Sequence, residues 1–255
     1  MNHHRNHKRA QLGFTFAELL IGIALSLLVI AAASAAYGTS KQTWTAMAAT
    51  DSVHANARIA LRNIREQSLM VGAAYLKATS NSDGRFSVDV SASDDIGQDA
   101  LAGVNGSKYV ESLTLGHWHA LDAIDCQGNA SSTQSTVRNN YKINTNKELT
   151  CKDLNLTNST YQALAEGVED FQLRYAEANP STQTVQWKTA NQVTAMSQVI
   201  GLEVCVVVAS ITPINQTPPS VSNTGCQGEA FVTDGRVRRA FKRVMALRNR
   251  DGVMP

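Results

Sequence analysis

The chain holds no proline before Pro180, so no helix laid down ahead of that residue carries a proline kink. Cysteine is absent before Cys126, and Cys126, Cys151, Cys205 and Cys226 show neither a Cys-x-x-Cys pair nor a zinc-ligand spacing. Two disulfides fit them better than a metal. No Gly-x-Ser-x-Gly, Walker-type phosphate loop or His-Glu-x-x-His occurs, so a serine nucleophile would have to be gathered from distant residues. Acidic residues are missing from the first thirteen positions, MNHHRNHKRAQLG, which carry Arg5, Lys8 and Arg9. Setting those three aside takes Lys+Arg from 23 to 20 against 21 Asp+Glu. A balance so near neutral gives a nucleic-acid reading no support.

A long apolar run comes directly after the basic stretch. FTFAELLIGIALSLLVIAAASAAYG is apolar for roughly 23 residues, enough to cross a hydrocarbon core of about 30 Å at about 1.5 Å per residue. Its one charge is Glu18. The cations ahead of it hold the leader in the cytoplasm by the positive-inside tendency and send the rest of the chain across the membrane. An ordinary signal peptide is cut after its apolar core, where Ala33, Ser34 and Ala35 offer a competing site; here Gly13 stands before the core begins. A carboxylate near the start of a membrane span is a functional residue by default. Cleavage after Gly13 would free the amine of Phe14, placing a cation one helical turn from Glu18, or against the Glu18 of a neighbouring subunit.

The string Gly13-Phe14-Thr15-Phe16-Ala17-Glu18-Leu19-Leu20 resembles the class III signal of type IV prepilins and type II secretion pseudopilins. That resemblance implies cleavage after Gly13 by a prepilin peptidase, N-methylation of Phe14, and Glu18 as the carboxylate that meets an amine during assembly. Many major pilins of that family carry a proline within this helix. This chain has none, so Gly22 and Gly38 are its expected soft points, glycine lowering helix propensity by about 1 kcal/mol relative to alanine.

Beyond Gly38 helical spacing continues, with Leu61, Ile64, Ser68 and Val71 on one face and Arg58, Arg62, Arg65 and Glu66 toward solvent. One helix from Phe14 to near Met70 is expected, ended by Gly72, with a turn at Ser82-Asp83-Gly84. Alternation then marks strands at Phe86 to Val90, Ser112 to Leu115, Val168 to Tyr175 and Val199 to Val208, the last apolar enough to be buried on both faces. Arg236 to Arg250 fits either period. The division expected is a leader over 1–13, a transmembrane or filament-core helix over 14–37, its amphipathic continuation over 38–72, and a β-rich domain over 73–255.

Gly167 to Tyr175 (GVEDFQLRY) and Val244 to Arg250 (VMALRNR) are similar to segments of the PilW-type minor pilins, as is Asn56-Ala57-Arg58. The resemblance settles the C-terminal run as a strand. It implies an α+β, pilin-like fold, a long N-terminal helix packed on an antiparallel sheet with long polar loops. Gln98 to Thr160 shows no such match and reads as polar loop.

Candidate chemistry is sparse. Four cysteines allow three connectivities; Cys126 with Cys151 and Cys205 with Cys226 is the sequence-near choice, each loop worth about 3 kcal/mol in the chain-entropy model. A free core thiol at Cys205 is the alternative. His117 and His119 flank Trp118, with Asp122 or Asp125 as a third ligand; two exposed histidines beside a packed tryptophan is the favoured reading, and no metal is assigned. Asp94, Asp95 and Asp99 lack the spacing of a calcium loop. Arg236, Arg238, Arg239, Lys242, Arg243, Arg248 and Arg250 form a basic run, read as a solvated strand face, with DNA as the other possible partner.

The reading is a non-enzymatic minor pilin without cofactor that primes or supports pilus assembly, with the filament tip as a station. Its implied partners are prepilin peptidase, other minor and major pilins, and the inner-membrane assembly machinery. Before assembly it spans the inner membrane once with a periplasmic domain; afterwards it lies on the pilus. Its rivals are a type II secretion pseudopilin, a membrane-tethered periplasmic enzyme, and an adhesin or DNA-binding tip subunit.

Overall fold

The computed structural model describes residues 14–72, 75–80, 86–91, 101–104, 111–118, 124–130, 136–156, 158–214, 224–231 and 233–248. Gly13 and the rest of the leader, the turn at 82–84, Asp94, Asp95, Asp99, His119, Asp122 and Arg250 lie outside them. The chain divides into two compact units, Met1–Met47 and Ala48–Pro255.

One helix, α1 (Phe16–Met70), runs through both. It passes Gly22 and Gly38 without interruption, as a proline-free, Ala- and Leu-rich sequence allows. In the first unit its large apolar side chains, among them Leu19, Leu20, Ile21, Leu25, Leu28 and Ile30, are exposed. In the second unit α1 buries one stripe: Val53, Ala57, Ala60, Leu61, Ile64 and Ser68. Those spacings follow the helical period, and Arg58, Arg62, Arg65 and Glu66 stay exposed as the sequence pattern predicts. The helix stops where Gly72 turns left-handed at φ 75°, its N–H donating to the Gly116 carbonyl at 3.1 Å.

The second unit holds eleven strands among the described residues, all paired antiparallel. A hairpin joins β1 (Tyr75–Ser80) to β2 (Phe86–Ser91). Strands β3 (Leu101–Val104), β4 (Ser112–Trp118), β5 (Thr136–Ile143), β6 (Glu148–Asp153) and β7 (Gln162–Glu166) form a five-stranded meander in chain order. Strands β8 (Val168–Asn179), β9 (Thr184–Lys188), β10 (Val199–Ala209) and β11 (Arg238–Ala246) form a four-stranded sheet in the order β11-β10-β8-β9. The architecture is therefore α+β, a long N-terminal helix with antiparallel sheets, with two main sheets among the described residues where one was expected. Strand β10, buried almost throughout, lies between β8 and β11.

Much of the stretch expected as polar loop, Gln98 to Thr160, is strand. Two of its asparagines, Asn139 and Asn140, are core residues with partners. Asn139 donates to Gln67 of α1 at 2.8 Å while its carbonyl accepts the Cys126 N–H at 3.1 Å. Asn140 donates to Thr114 at 2.9 Å and accepts from the Tyr161 hydroxyl at 2.9 Å. A buried amide costs little once its partners are in place. Interleaved Val137, Tyr141 and Ile143 supply the apolar burial.

Gly167 is the joint between the sheets. With φ at 73°, it turns β7 into β8, its carbonyl accepting the Ala209 N–H at 2.7 Å, and the next N–H, from Val168, reaches the Lys147 carbonyl at 2.8 Å. A Cβ here would press into the Ala209 carbonyl oxygen.

Cys126 bonds Cys151 of β6, and Cys226 bonds Cys205 of β10, with Cα separations of 6.3 and 5.8 Å. Both turns that present the outlying cysteine read Cys-Gln-Gly-x-Ala: Cys126-Gln127-Gly128-Asn129-Ala130 and Cys226-Gln227-Gly228-Glu229-Ala230. Each is closed by a bridge, Ile124 to Ala130 and Thr224 to Ala230, around a glycine at φ 87° or 86°. One such turn is thus strapped to each main sheet.

Candidate functional site

The first turn of α1 is a reciprocal cap. The Thr15 carbonyl accepts the Leu19 N–H at 3.2 Å, making Thr15 the residue that opens the helix. Its hydroxyl oxygen accepts the Glu18 N–H at 3.3 Å, and Glu18 Oε2 accepts both the Thr15 N–H and the Thr15 hydroxyl, each at 2.9 Å. Thr15-Phe16-Ala17-Glu18 is therefore a capping box, Thr-x-x-Glu. The Glu18 carboxylate is pinned at the head of the helix, where the positive end of the macrodipole favours it. Both bonds fall on Oε2 and neither on Oε1. Phe14, immediately before the cap, is 90% exposed.

Below the cap the span presents only hydrocarbon and hydroxyls turned inward. Ser26 donates to the Gly22 carbonyl, and Ser34 to the Ile30 carbonyl at 2.8 Å. Serines bonded back to their own helix leave no unsatisfied donor in an apolar medium. The helix is long and apolar enough to cross a membrane. It fits a single-pass anchor.

Sequence reasoning missed Thr15, although a Thr followed three positions later by Glu at the start of an apolar run is a known helix-start signature. The structure brings Thr15 and Glu18 together; the four cysteines lie in the other unit and serve its sheets.

The remaining candidates are structural. His117 is fully buried on β4, where it shares a face with Leu113 and Leu115, also fully buried; the expected exposed histidine is corrected by that alternation. The basic run is partly neutralised. Arg238 is buried and donates to Glu169 at 2.7 Å and to Asp234 at 2.6 Å. Bonding from Arg238 holds the Asp234 carboxyl well below its usual range. Lys242 lies 3.4 Å from Glu203, and Arg239 faces His54 of α1 at 3.3 Å.

A polar pocket of about 300 Å³ beside β9 is lined by Glu177, Gln186, Lys188 and Thr194, among others. Burial alone would raise the Glu177 carboxyl, but Lys188, Thr194 and Ala195 donate to it and lower it to about 2. It is a hub for the β8 to β10 connection. Glu111 is the opposite case. Burial raises it to about 7, against the opposing bond from the Leu173 N–H at 2.6 Å and with the charge of Asp170 adding to the rise.

Residues 134–249 match the family model described as type IV pilus-assembly protein W, PilW. The match spans β5 to β11 and contains the string Gly167 to Tyr175 and, of the second string, Val244 to Asn249. No curated protein matches the chain. Among solved structures, a type IV-like pilin, TTHA1219 from Thermus thermophilus, aligns at 14% identity with a TM-score of 0.38, covering 59% of this chain and 85% of that one.

Proposed function

We propose that this chain, a type IV pilus-related pilin subunit through the match of residues 134–249 to the PilW family, is a minor pilin that primes or supports pilus assembly, with the filament tip as its station. Prepilin peptidase cuts after Gly13 and Phe14 becomes the N-methylated terminus. The observation that carries the reading is the capped Glu18 at the head of a wholly exposed apolar span. Glu18 Oε1 then receives a Phe14 ammonium, its own or a neighbour's. The span leaves lipid for an equally apolar bundle of neighbouring helices, so extraction loses little hydrophobic energy. Glu18 sets the register, since an unpaired carboxylate in that bundle is costly and a paired one is tolerated. The PilW match supports a structural role, with other pilins and the assembly machinery as partners. Before assembly the domain lies in the periplasm; afterwards it lies on the pilus. A type II secretion pseudopilin would share the anchor, and the PilW match favours the pilus.

Glu18→Ala tests this. Cleavage is expected to proceed and piliation to fall, read by the mass of the mature chain and by the pili sheared from cells. Thr15→Ala separates capping from register: it weakens the helix start by about 1 kcal/mol but keeps the carboxylate, and should leave most piliation intact. Normal piliation in Glu18→Ala would sink the register account.

A further inference from the structure

We infer that Tyr37, Lys41 and Trp44 form a lipid-headgroup girdle that fixes the depth of α1 in the bilayer, an inference that rests on the membrane-anchor part of the proposed function. The three are spaced i, i+4, i+7 and so fall within about 60° of one another around the helix. All three are exposed, Tyr37 at 71% and Trp44 at 73%. Large aromatic side chains left to water on a helix face call for an occupant, and their chemistry says which. Tyrosine and tryptophan, each an apolar ring with a polar tip, are the residues enriched at the headgroup level of membrane proteins. Lysine between them adds a cation on a stem long enough to reach phosphate while its methylenes stay in apolar surroundings.

Position agrees with composition. Lys41 is the only charged side chain between Glu18 and Asp51. At about 1.5 Å per residue, Tyr37, Lys41 and Trp44 stand about 28, 35 and 39 Å along the axis from Glu18, against a hydrocarbon core of about 30 Å and about 40–45 Å with headgroups included. With Glu18 at one boundary, the girdle falls in the headgroup layer of the other. The exposed apolar surface leads up to it without a break, through Leu27, Leu28, Val29 and Ile30.

The hydroxyls here are also prepared for a partly dehydrated layer. Thr39 donates to the Ala36 carbonyl at 2.9 Å, Thr43 to Thr39 at 3.0 Å and Thr45 to Gln42 at 2.9 Å. Each threonine satisfies its donor within the helix.

The test reconstitutes the full chain and its Trp44→Phe variant in vesicles of phosphatidylcholine and phosphatidylglycerol. Trp118 and Trp187 remain in both, so the difference between the two emission spectra reports Trp44 alone. The expected difference spectrum is blue-shifted relative to tryptophan in water, and quenched more by lipids brominated near the headgroup than by lipids brominated deep in the acyl chain. Co-flotation with the vesicles is read on the same samples. Flotation with Trp44 unquenched at every depth overturns the girdle and leaves the anchor standing, as does flotation with deepest quenching strongest. Failure of the chain to float overturns the anchor, and the girdle with it.

Discussion

Substituting Gly167 by alanine should cost the domain more than the same substitution at any solvent-facing left-handed glycine, and the structure says by how much. At φ 73° an alanine pays about 1 to 2 kcal/mol for the left-handed conformation alone. Its Cβ would also press on the Ala209 carbonyl oxygen, backbone that cannot swing aside like a side chain. Relief must come from moving the backbone at 167 away from the end of β10, which stretches the Ala209 to Gly167 bond at 2.7 Å. Losing one buried backbone bond costs about 1 to 3 kcal/mol, so the total is on the order of 2 to 5 kcal/mol. Gly128 is the control, with φ at 87° and nothing within 4 Å of where a Cβ would stand. Gly128→Ala should cost only the conformational part, about 1 to 2 kcal/mol. Urea titration of both variants in detergent, followed by tryptophan emission, reads the difference. Equal losses, or a larger loss at Gly128, would refute the reading of Gly167 as a joint held by close backbone approach.

Removing either disulfide by serine substitution should cost about 3 kcal/mol, and the two should cost nearly the same, because the loops they close span 25 and 21 residues. A urea midpoint unmoved by full reduction would contradict that. Glu111→Gln keeps an acceptor for the Leu173 N–H and removes a carboxyl raised from 4.5 to about 7. A raised carboxyl carries its burial without penalty below its unfolded value and loses stability as pH climbs through the folded one. The variant should therefore match the parent below about pH 4.5 and exceed it above about pH 7, by on the order of 1 kcal/mol once solvent screening is allowed for. Melting curves across that range that stay parallel would show that burial of the carboxyl is not what raises it.

The long helix was legible because its signals are local: no proline, a helical apolar period and Gly72 to end it. Strand β10 was legible as a run of apolar residues too continuous for a one-sided strand, and β11 through its likeness to a family tail. Strands β5 and β6 were not, because Asn139 and Asn140 read as loop formers until Gln67, Thr114 and Tyr161 arrive from elsewhere in the chain to satisfy them. His117 failed similarly. Its alternation with Leu113 and Leu115 was present in the sequence, but histidine is polar enough to mask the pattern. The two Cys-Gln-Gly-x-Ala turns could have been found as a repeat, while their strapping to one sheet each depends on long-range pairing. At the helix start the family signal marked Glu18, and the capping chemistry that holds it needed only the Thr15 to Glu18 spacing.

The central claim is a mature chain that begins at Phe14 with Glu18 capped one turn inside it. Mass spectrometry of the N-terminal peptide, taken from chain purified out of cells that assemble pili, tests it most directly. The account predicts a peptide beginning with N-methyl-phenylalanine at Phe14. A peptide that retains Met1, or one that begins near Ala35, would contradict it.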